Sequence, residues 1–289
     1  PLGDNTVYNG ADYLVQNSSL QDYVFDFVGS TTVSGDYVAI TNTLLSNKSK
    51  FSWSGWIRWS SYPGSAMVIF GAGKQSGGSV GYAMEIYRTQ NKLFLQVADD
   101  NTWPVSTYET YELQTNTASP FSSSPMPSQW YHIAVTWEGN TIGGAKAWIN
   151  GTPTNNTDLN TTLANLYTGS ANWGIGDRTG GSPGPTHYFN GEATNVQVWD
   201  EIIDNTDVQD LYNNGTPLIS GTQPKESDLI LWWKLNKGAT FDGANWIVLD
   251  DSGNSNTGTS SGMTTANLVT SDLSVTEAFE KYSFVLNGN

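Results

Sequence analysis

Along most of the chain the apolar positions recur every second residue. Residues 51–60 read FSWSGWIRWS, with Phe51, Trp53, Ile57 and Trp59 on one parity and Ser52, Ser54, Arg58 and Ser60 on the other. Successive side chains of a strand point to opposite faces, so this alternation predicts a strand with one buried face. Similar runs occur at 23–29, 36–40, 66–71, 82–87, 92–98, 130–138, 145–149, 172–177 and 193–199, separated by Gly, Asn, Ser and Pro. Short strands with turn punctuation predict an all-β sandwich or jelly roll of two antiparallel sheets. One short helix is predicted near 205–213. Asp204 or Thr206 can cap it, Val208, Leu211 and Tyr212 share a face, and Asn213-Asn214-Gly215 ends it. No helix alternates with strands elsewhere, which argues against a parallel sheet.

A polar stretch with two prolines, TPLISGTQPKESD at 216–228, predicts a boundary. Beyond it come LILWWKL (229–235), Trp246–Leu249, the turn-rich DDSGNSNTGTSSG (250–262) and YSFVLNG (282–288). The chain therefore divides into an N-terminal extension (1–19), a sandwich domain (20–216), and a linker with further strands, a β-containing C-terminal extension (217–289). Residues 11–29 are echoed in 266–288, with Phe25 aligning to Phe284. Either the two segments are similar edge strands of one domain, or the chain ends as a second copy begins; the second reading is favoured.

Composition narrows the function. The chain has 289 residues, 12 Lys+Arg against 27 Asp+Glu, and a formal net charge of −15. Such a surface repels phosphate, so no nucleic-acid partner is expected. The absence of cysteine excludes disulfide scaffolds, thiol catalysis and Cys-type zinc sites. No segment approaches the roughly 18 apolar residues of a membrane span, so no membrane insertion is expected. Residues 1–20 carry neither a basic region nor an apolar run, and no signal peptide is expected there. Only 13% of residues are charged, and polarity comes instead from Asn, Thr, Ser and Gly, as in extracellular β-proteins and virion proteins.

WYHIAVTWEGNTIGGAKAWING (130–151) is a hairpin ending in Ile-Asn-Gly, and FNGEATNVQVWDEIIDNTDVQDLY (189–212) runs from a strand into the single helix. Together these resemble the laminin-G-like/pentraxin superfamily, which implies a concanavalin A-like jelly roll. GDYVAI (35–40) and FSWSGWIRW (51–59) match its opening strands, and the resemblance covers roughly 20–216. The tail resembles the entry to another such domain. Tandem copies in this Asn/Thr/Ser-rich style look like structural proteins of marine bacteriophages.

The glycoside hydrolases among these relatives need two carboxylates facing one cleft, about 5 Å apart for retention. Their Glu-x-Asp-x-x-Glu string is missing. Glu201, Asp204 and Asp207 straddle the predicted helix start, where acids favour the dipole. Glu109 and Glu112 differ in strand parity and face opposite ways. His132 is expected to be a solvent-facing or inter-strand histidine, and no Ser-His-Asp arrangement follows from two unrelated histidines. The chain is therefore expected not to be an enzyme. Pentraxins place acidic residues at positions held here by Asp177-Arg178 and 74–79, so their double calcium site is not expected. Calcium could instead bind where Asp251, Asn254 and Asn256 supply oxygens in a tight turn. Sugar binding calls for exposed aromatics beside hydrogen-bonding groups. Trp103, Tyr108 and Tyr111, in a loop-like stretch, are the candidates, with His187 in a Gly/Pro loop. Trp53, Trp59, Trp137 and Trp148 are assigned to the core.

These readings converge on a non-enzymatic virion surface protein that presents a β-sandwich to a cell-surface glycan or receptor, or alternatively a secreted bacterial carbohydrate-binding or adhesion domain. Its expected partners are other virion proteins or copies of itself. Trp232, Trp233, Trp246, Phe279 and Phe284 need burial on their own sandwich, on a following domain or on a second copy of the chain; contact between copies in a homo-oligomer is favoured.

Overall fold

The computed structural model describes residues 13–14, 23–29, 35–60, 67–76, 79–89, 92–99, 108–113, 129–154, 163–176, 188–273 and 281–282. Two antiparallel sheets pack face to face. The first runs β11 (Thr152–Pro153), β10 (Ala145–Ile149), β9 (Tyr131–Glu138), β4 (Lys50–Trp59), β13 (Gly191–Trp199), β2 (Tyr23–Phe27) and β18 (Leu268–Thr270). The second runs β15 (Thr240–Phe241), β16 (Trp246–Val248), β17 (Gly258–Ser261), β3 (Tyr37–Asn42), β12 (Ala171–Ile175), β5 (Met67–Ser76), β6 (Ser79–Thr89), β7 (Lys92–Ala98) and β8 (Tyr108–Glu112). In the first sheet β2 pairs with the start of β13, and β14 (Leu229–Trp233) with its later part. A separate ribbon joins β1 (Tyr13–Leu14) to β19 (Lys281–Tyr282).

The predicted alternation sets the core. Phe51, Trp53, Ile57 and Trp59 of β4, with Tyr131, Ile133, Val135 and Trp137 of β9, face inward and are buried. They meet Phe70 and Ala72 of β5, Met84 and Ile86 of β6, and Leu93, Leu95 and Val97 of β7. Trp53 reaches Phe70 across the interface with ring centroids 6.0 Å apart.

The single α-helix among the described residues, α1 (Asn205–Tyr212), lies where the sequence predicts it. Asp204 accepts hydrogen bonds from the backbone N–H groups of Thr206 and Asp207, while Asp207 accepts from the N–H of Asp204, a reciprocal cap. Asn213 ends it in the left-handed conformation, φ 42°. Val208 and Leu211 pack on Ala134, Trp148, Trp199, Ile203, Leu229 and Trp232, covering the outer face of the first sheet. Trp148 is thus buried under the helix rather than between the sheets. The same cover explains why Ser52, Ser54 and Trp56, on the outward parity of β4, are also buried.

Beyond residue 216 the described strands join both sheets: β14 extends the first sheet beside β13, β17 pairs β3 in the second, and β18 pairs β2 in the first. The polar stretch 216–228 packs down on β13. Gln197 Nε2 donates to Gln223 Oε1 (2.8 Å), Trp199 Nε1 to the Pro224 carbonyl (2.9 Å), and Asn195 Nδ2 to the Leu218 carbonyl (3.3 Å). Its polarity answers a polar row on the sheet rather than solvent, which a boundary rule based on composition misreads.

The burial argument for contact between copies falls with it, because Trp233 is 0% exposed and Trp232 and Trp246 are each 6% exposed on their own sandwich. Phe279 and Phe284 lie outside the described residues. Parts of the two echoing segments are hydrogen-bonded neighbours, Leu268 opposite Phe25 and Tyr13 opposite Tyr282.

Candidate functional site

The outer face of the second sheet carries chemistry that packing alone does not require. On β6 and β7 one parity faces the core: Met84 and Ile86, with Leu93, Leu95 and Val97. The other parity places Glu85 and Tyr87 opposite Gln96 and Phe94. Tyr87 and Phe94 are half-buried, and their rings stack with centroids 5.1 Å apart and planes 10° from parallel. Beside them Lys92 pairs with Glu112 at 2.8 Å, and Gln96 Nε2 donates to Thr110 Oγ1 at 2.8 Å. Aromatic surface beside a ring of donors and acceptors suits a ligand with one apolar face and many hydroxyls.

The neighbouring strands keep this face low. Glu85 lies opposite Gly71, Gly71 opposite Gly174, and Gly174 opposite Ala39, which meets Thr259 of β17. Three central strands therefore present almost no side chain in this row. A Cβ at Gly71 would sit 3.0 Å from the Met84 carbonyl oxygen, so the strand spacing leaves little room for anything larger than glycine.

Of the residues singled out for sugar binding, Tyr111 lies elsewhere. It is 1% exposed on the inward parity of β8, donating to Glu109 and accepting from Trp137 Nε1 at 3.2 Å. The loop-like reading of this stretch missed β8, whose pairing with β7 turns Tyr111 into the core. Glu109 also faces inward and accepts from the Leu163 N–H at 2.9 Å, so it and Glu112 do point opposite ways. The backbone of Tyr108 begins β8 opposite Ala98. Its side chain, Trp103 and His187 lie outside the described residues. Tyr87 and Phe94 were missed, although each is an aromatic on the polar parity of its strand.

The proposed calcium ligands have separate structural partners. Asp251 pairs with Lys234 at 3.1 Å. Asn254 Nδ2 donates to the Leu229 carbonyl at 2.8 Å. Asn256 Nδ2 donates to the Ile230 carbonyl at 2.7 Å, and its Oδ1 accepts from Asn42 Nδ2 at 2.7 Å. The turn is organised by Asp250, which was not among the candidates. Its Oδ1 accepts from the N–H groups of Trp232 (2.9 Å) and Ser252 (3.0 Å), and its Oδ2 from that of Asn256 (2.8 Å). Asn254 and Asn256 thus tie β14 to the turn, and Asp251 ties the turn to Lys234 just beyond that strand. Among the described residues no group of three or more His, Asp or Glu side chains could hold a metal.

Glu201 pairs with Lys50 at 2.6 Å, and that pairing holds its carboxyl below the usual range. Of the two expected readings, His132 takes the inter-strand one, bonded from β9 to Ser54 of β4, and is not solvent-facing. It is 1% exposed beneath α1, with Nε2 2.8 Å from Ser54 Oγ and its ring centroid 5.3 Å from that of Trp56. Burial pushes its pKa down to about 3.

A laminin-G-type family model, described as the concanavalin A-like lectin/glucanases superfamily, matches residues 31–209. The chain belongs to that superfamily. Among solved structures, this concanavalin A-like chain resembles a Bacteroides ovatus protein to which carbohydrate binding is ascribed, with TM-score 0.56 and 16% identity over 88% of this chain and 62% of that one. The chain thus spans less than two thirds of that protein's length. It also resembles a heptameric SAP-like pentraxin from Limulus polyphemus, with TM-score 0.45 and 17% identity over 68% of this chain and 84% of that one. Similarity to a botulinum neurotoxin type C whose cell entry depends on two gangliosides has TM-score 0.45 and 16% identity, over 71% of this chain and 44% of that one. No curated protein matches the chain. Among the described residues no helix is long and apolar enough to cross a membrane.

Proposed function

We propose that this concanavalin A-like sandwich binds a neutral glycan on the outer face of its second sheet, without catalysis, at an extracellular or virion surface. The observation that carries the reading is the half-buried Tyr87–Phe94 stack set among Lys92, Gln96, Thr110 and Glu112. Membership of a superfamily of lectins and glucanases supports it, as does the fold shared with the Bacteroides ovatus protein. A neutral ligand is favoured because the cation beside the stack is paired with Glu112 and the chain carries a net −15.

The non-catalytic part rests on spacing. Glu85, itself fully buried, and Glu112 lie two strands apart, about 9.5 Å between strand axes, and two residues apart along them, about 7 Å more, so their backbones are some 12 Å apart, beyond both the roughly 5 Å of retention and the roughly 6.5–9.5 Å of inversion. Glu112 is also neutralised by Lys92. The Asn/Thr/Ser-rich composition favours a virion attachment module over a secreted adhesion domain, and locating the protein in purified particles separates the two.

Affinity electrophoresis in gels cast with neutral polysaccharides, laminarin among them, tests the site. The intact chain should be retarded, and Phe94→Ala and Tyr87→Ala should lose the retardation while keeping the native circular dichroism spectrum. Undiminished retardation of both variants, or none for the intact chain on any neutral polysaccharide, overturns the site. Release of reducing sugar overturns the non-catalytic reading.

A further inference from the structure

A small cavity of about 110 Å³ opens at the seam where the chain leaves β14 of the first sheet and passes through β15 and β16 of the second. At roughly 30 Å³ for each water-sized group it holds about four heavy atoms, too few for a sugar ring and enough for one substituent. Leu235, Ala239, Val248 and Leu249 give it apolar walls. Leu249 is 58% exposed, so an apolar group seated against it would take it out of water.

The cavity also carries a polar group with an open requirement. Asn236 lines it and is 3% exposed. Its Oδ1 accepts from the Gly238 N–H at 2.9 Å, which fixes the orientation of the amide, because a flipped amide would set Nδ2 against another donor. Nδ2 is therefore a true donor, and among the described residues it has no hydrogen-bond partner. A buried donor left unmade is costly. The turn that places it is costly as well: Leu235 holds φ 48°, in the left-handed region that a leucine rarely adopts. Strain of this kind persists where the surroundings enforce it, and ligand clamps are among its usual locations.

Charge is closed within the site. Lys234 Nζ lies 3.1 Å from Asp251 Oδ1 and 4.5 Å from the centroid of the Trp232 ring, and both charged residues line the cavity. The pair cancels, so neither a cation nor an anion is favoured. Asp251 keeps Oδ2 as an acceptor. The matching group is neutral, carries an acceptor for Asn236 and a donor for Asp251, and ends in apolar surface. An acetamido group has these parts, a carbonyl, an N–H and a methyl, in four heavy atoms.

We infer that this cavity is a subsite for the acetamido group of an N-acetylated amino sugar whose ring stays outside. The carbonyl accepts from Asn236 Nδ2, the N–H donates to Asp251, and the methyl packs on Ala239 and Leu249. Membership of a superfamily of lectins and glucanases favours a glycan over an acetylated peptide as the carrier. The inference is independent of the sheet-face reading, because neither Tyr87 nor Phe94 lines the cavity.

The probes are the N-acetylglucosamine trimer, its fully deacetylated counterpart, the β-1,4-linked glucose trimer and an Nε-acetyl-lysine tripeptide, each titrated into the full chain by calorimetry. The N-acetylated trimer should bind, and in saturation-transfer NMR its acetyl methyls should receive the most saturation. Asn236→Asp keeps the acceptor for Gly238 and removes the donor, and should weaken binding roughly tenfold. Leu249→Ala, at an exposed position, should weaken it roughly threefold with an unchanged melting temperature, and it carries the test should Asn236→Asp fail to fold. Phe94→Ala should leave this binding intact, so that failure at one site is distinguishable from failure at the other. Equal binding of the deacetylated or the glucose trimer, undiminished binding in the folded variants, or no binding at all overturns the inference; the last result would leave water as the partner of Asn236. Acetyl-lysine peptide binding as tightly as the sugar overturns the glycan assignment.

Discussion

Protonating His132 should loosen the helix-covered face of the first sheet. Its imidazole packs against Trp56 and Tyr212, with ring centroids at 5.3 and 6.1 Å, and among the described residues its ring is hydrogen-bonded to Ser54 alone. In the unfolded chain the ring takes a proton near its ordinary value of 6.5, whereas burial delays this to about 3 in the folded chain. Between those values the unfolded state holds the extra proton, so stability is full above pH 6.5 and falls as pH drops toward 3. The gap from 6.5 to about 3 corresponds to roughly 5 kcal/mol once the window is crossed, at about 1.4 kcal/mol per pH unit.

The carboxyls of Asp26, Asp36 and Glu192 are raised mainly by burial and act with the opposite sign. They hold protons in the folded state first, and so gain stability as pH falls. A single pH curve mixes the two effects; a comparison with His132→Gln isolates the histidine. Urea unfolding at pH 7.5 and 4.5 should show the intact chain losing roughly 2–3 kcal/mol more than the variant between the two conditions. In NMR the His132 ring, identified by its absence from the variant, should not titrate above pH 4. Equal losses in both proteins, or a His132 ring titrating near 6.5, would refute the reasoning.

Three further outcomes follow from the packing. Truncation after Gly215 removes β14 and β16–β18 from both sheets and uncovers Trp199 and the Gln197 row, so residues 1–215 should lack a cooperative thermal transition; a melting temperature equal to that of the full chain would show the tail to be a mere appendage. Gly176→Ala places a Cβ at φ 104°, 2.4 Å from the Asp36 carbonyl oxygen, and should cost about 3 kcal/mol or more in urea unfolding. The turn around Asp250 is held by hydrogen bonds, so calcium and EDTA should leave the melting temperature unchanged, whereas Asp250→Ala should lower it by stranding the N–H groups of Trp232, Ser252 and Asn256.

Much of the architecture was legible because burial on one face imposes a period of two that residues such as Phe51, Trp53, Ile57 and Trp59 display openly. The helix was legible for a similar reason: Asp204, the Val208–Leu211 face and Asn213 are local signals. The place of residues 217–273 was not. Whether LILWWKL joins its own sandwich or a following one depends on pairing with β13 across some 35 residues of chain, and nothing local to either segment encodes that pairing. Polar stretches mislead in the same way. Gln223 reads as solvent-facing by type but is 2% exposed, because Gln197 supplies it with a partner.

Candidate binding residues are harder to read than the core because function selects departures from the pattern that makes a strand recognisable. In KLFLQVA the inward Leu93, Leu95 and Val97 announce the strand, and Phe94 looks like one more apolar residue that strengthens the run. Its parity carries different information. An aromatic between Lys92 and Gln96 faces away from the core, and Tyr87 does the same opposite it on β6. One such residue would be unremarkable, since single exposed apolar side chains are common on folded proteins. Two that meet across adjacent strands require the register, Tyr87 opposite Phe94, which depends on where the chain turns between β6 and β7. Assigning the parity of each strand and then looking for aromatics that fall on the polar side would have directed attention to this pair instead of Tyr111. Tyr111 is an aromatic on the inward parity, and β8 places it against Trp137 in the core.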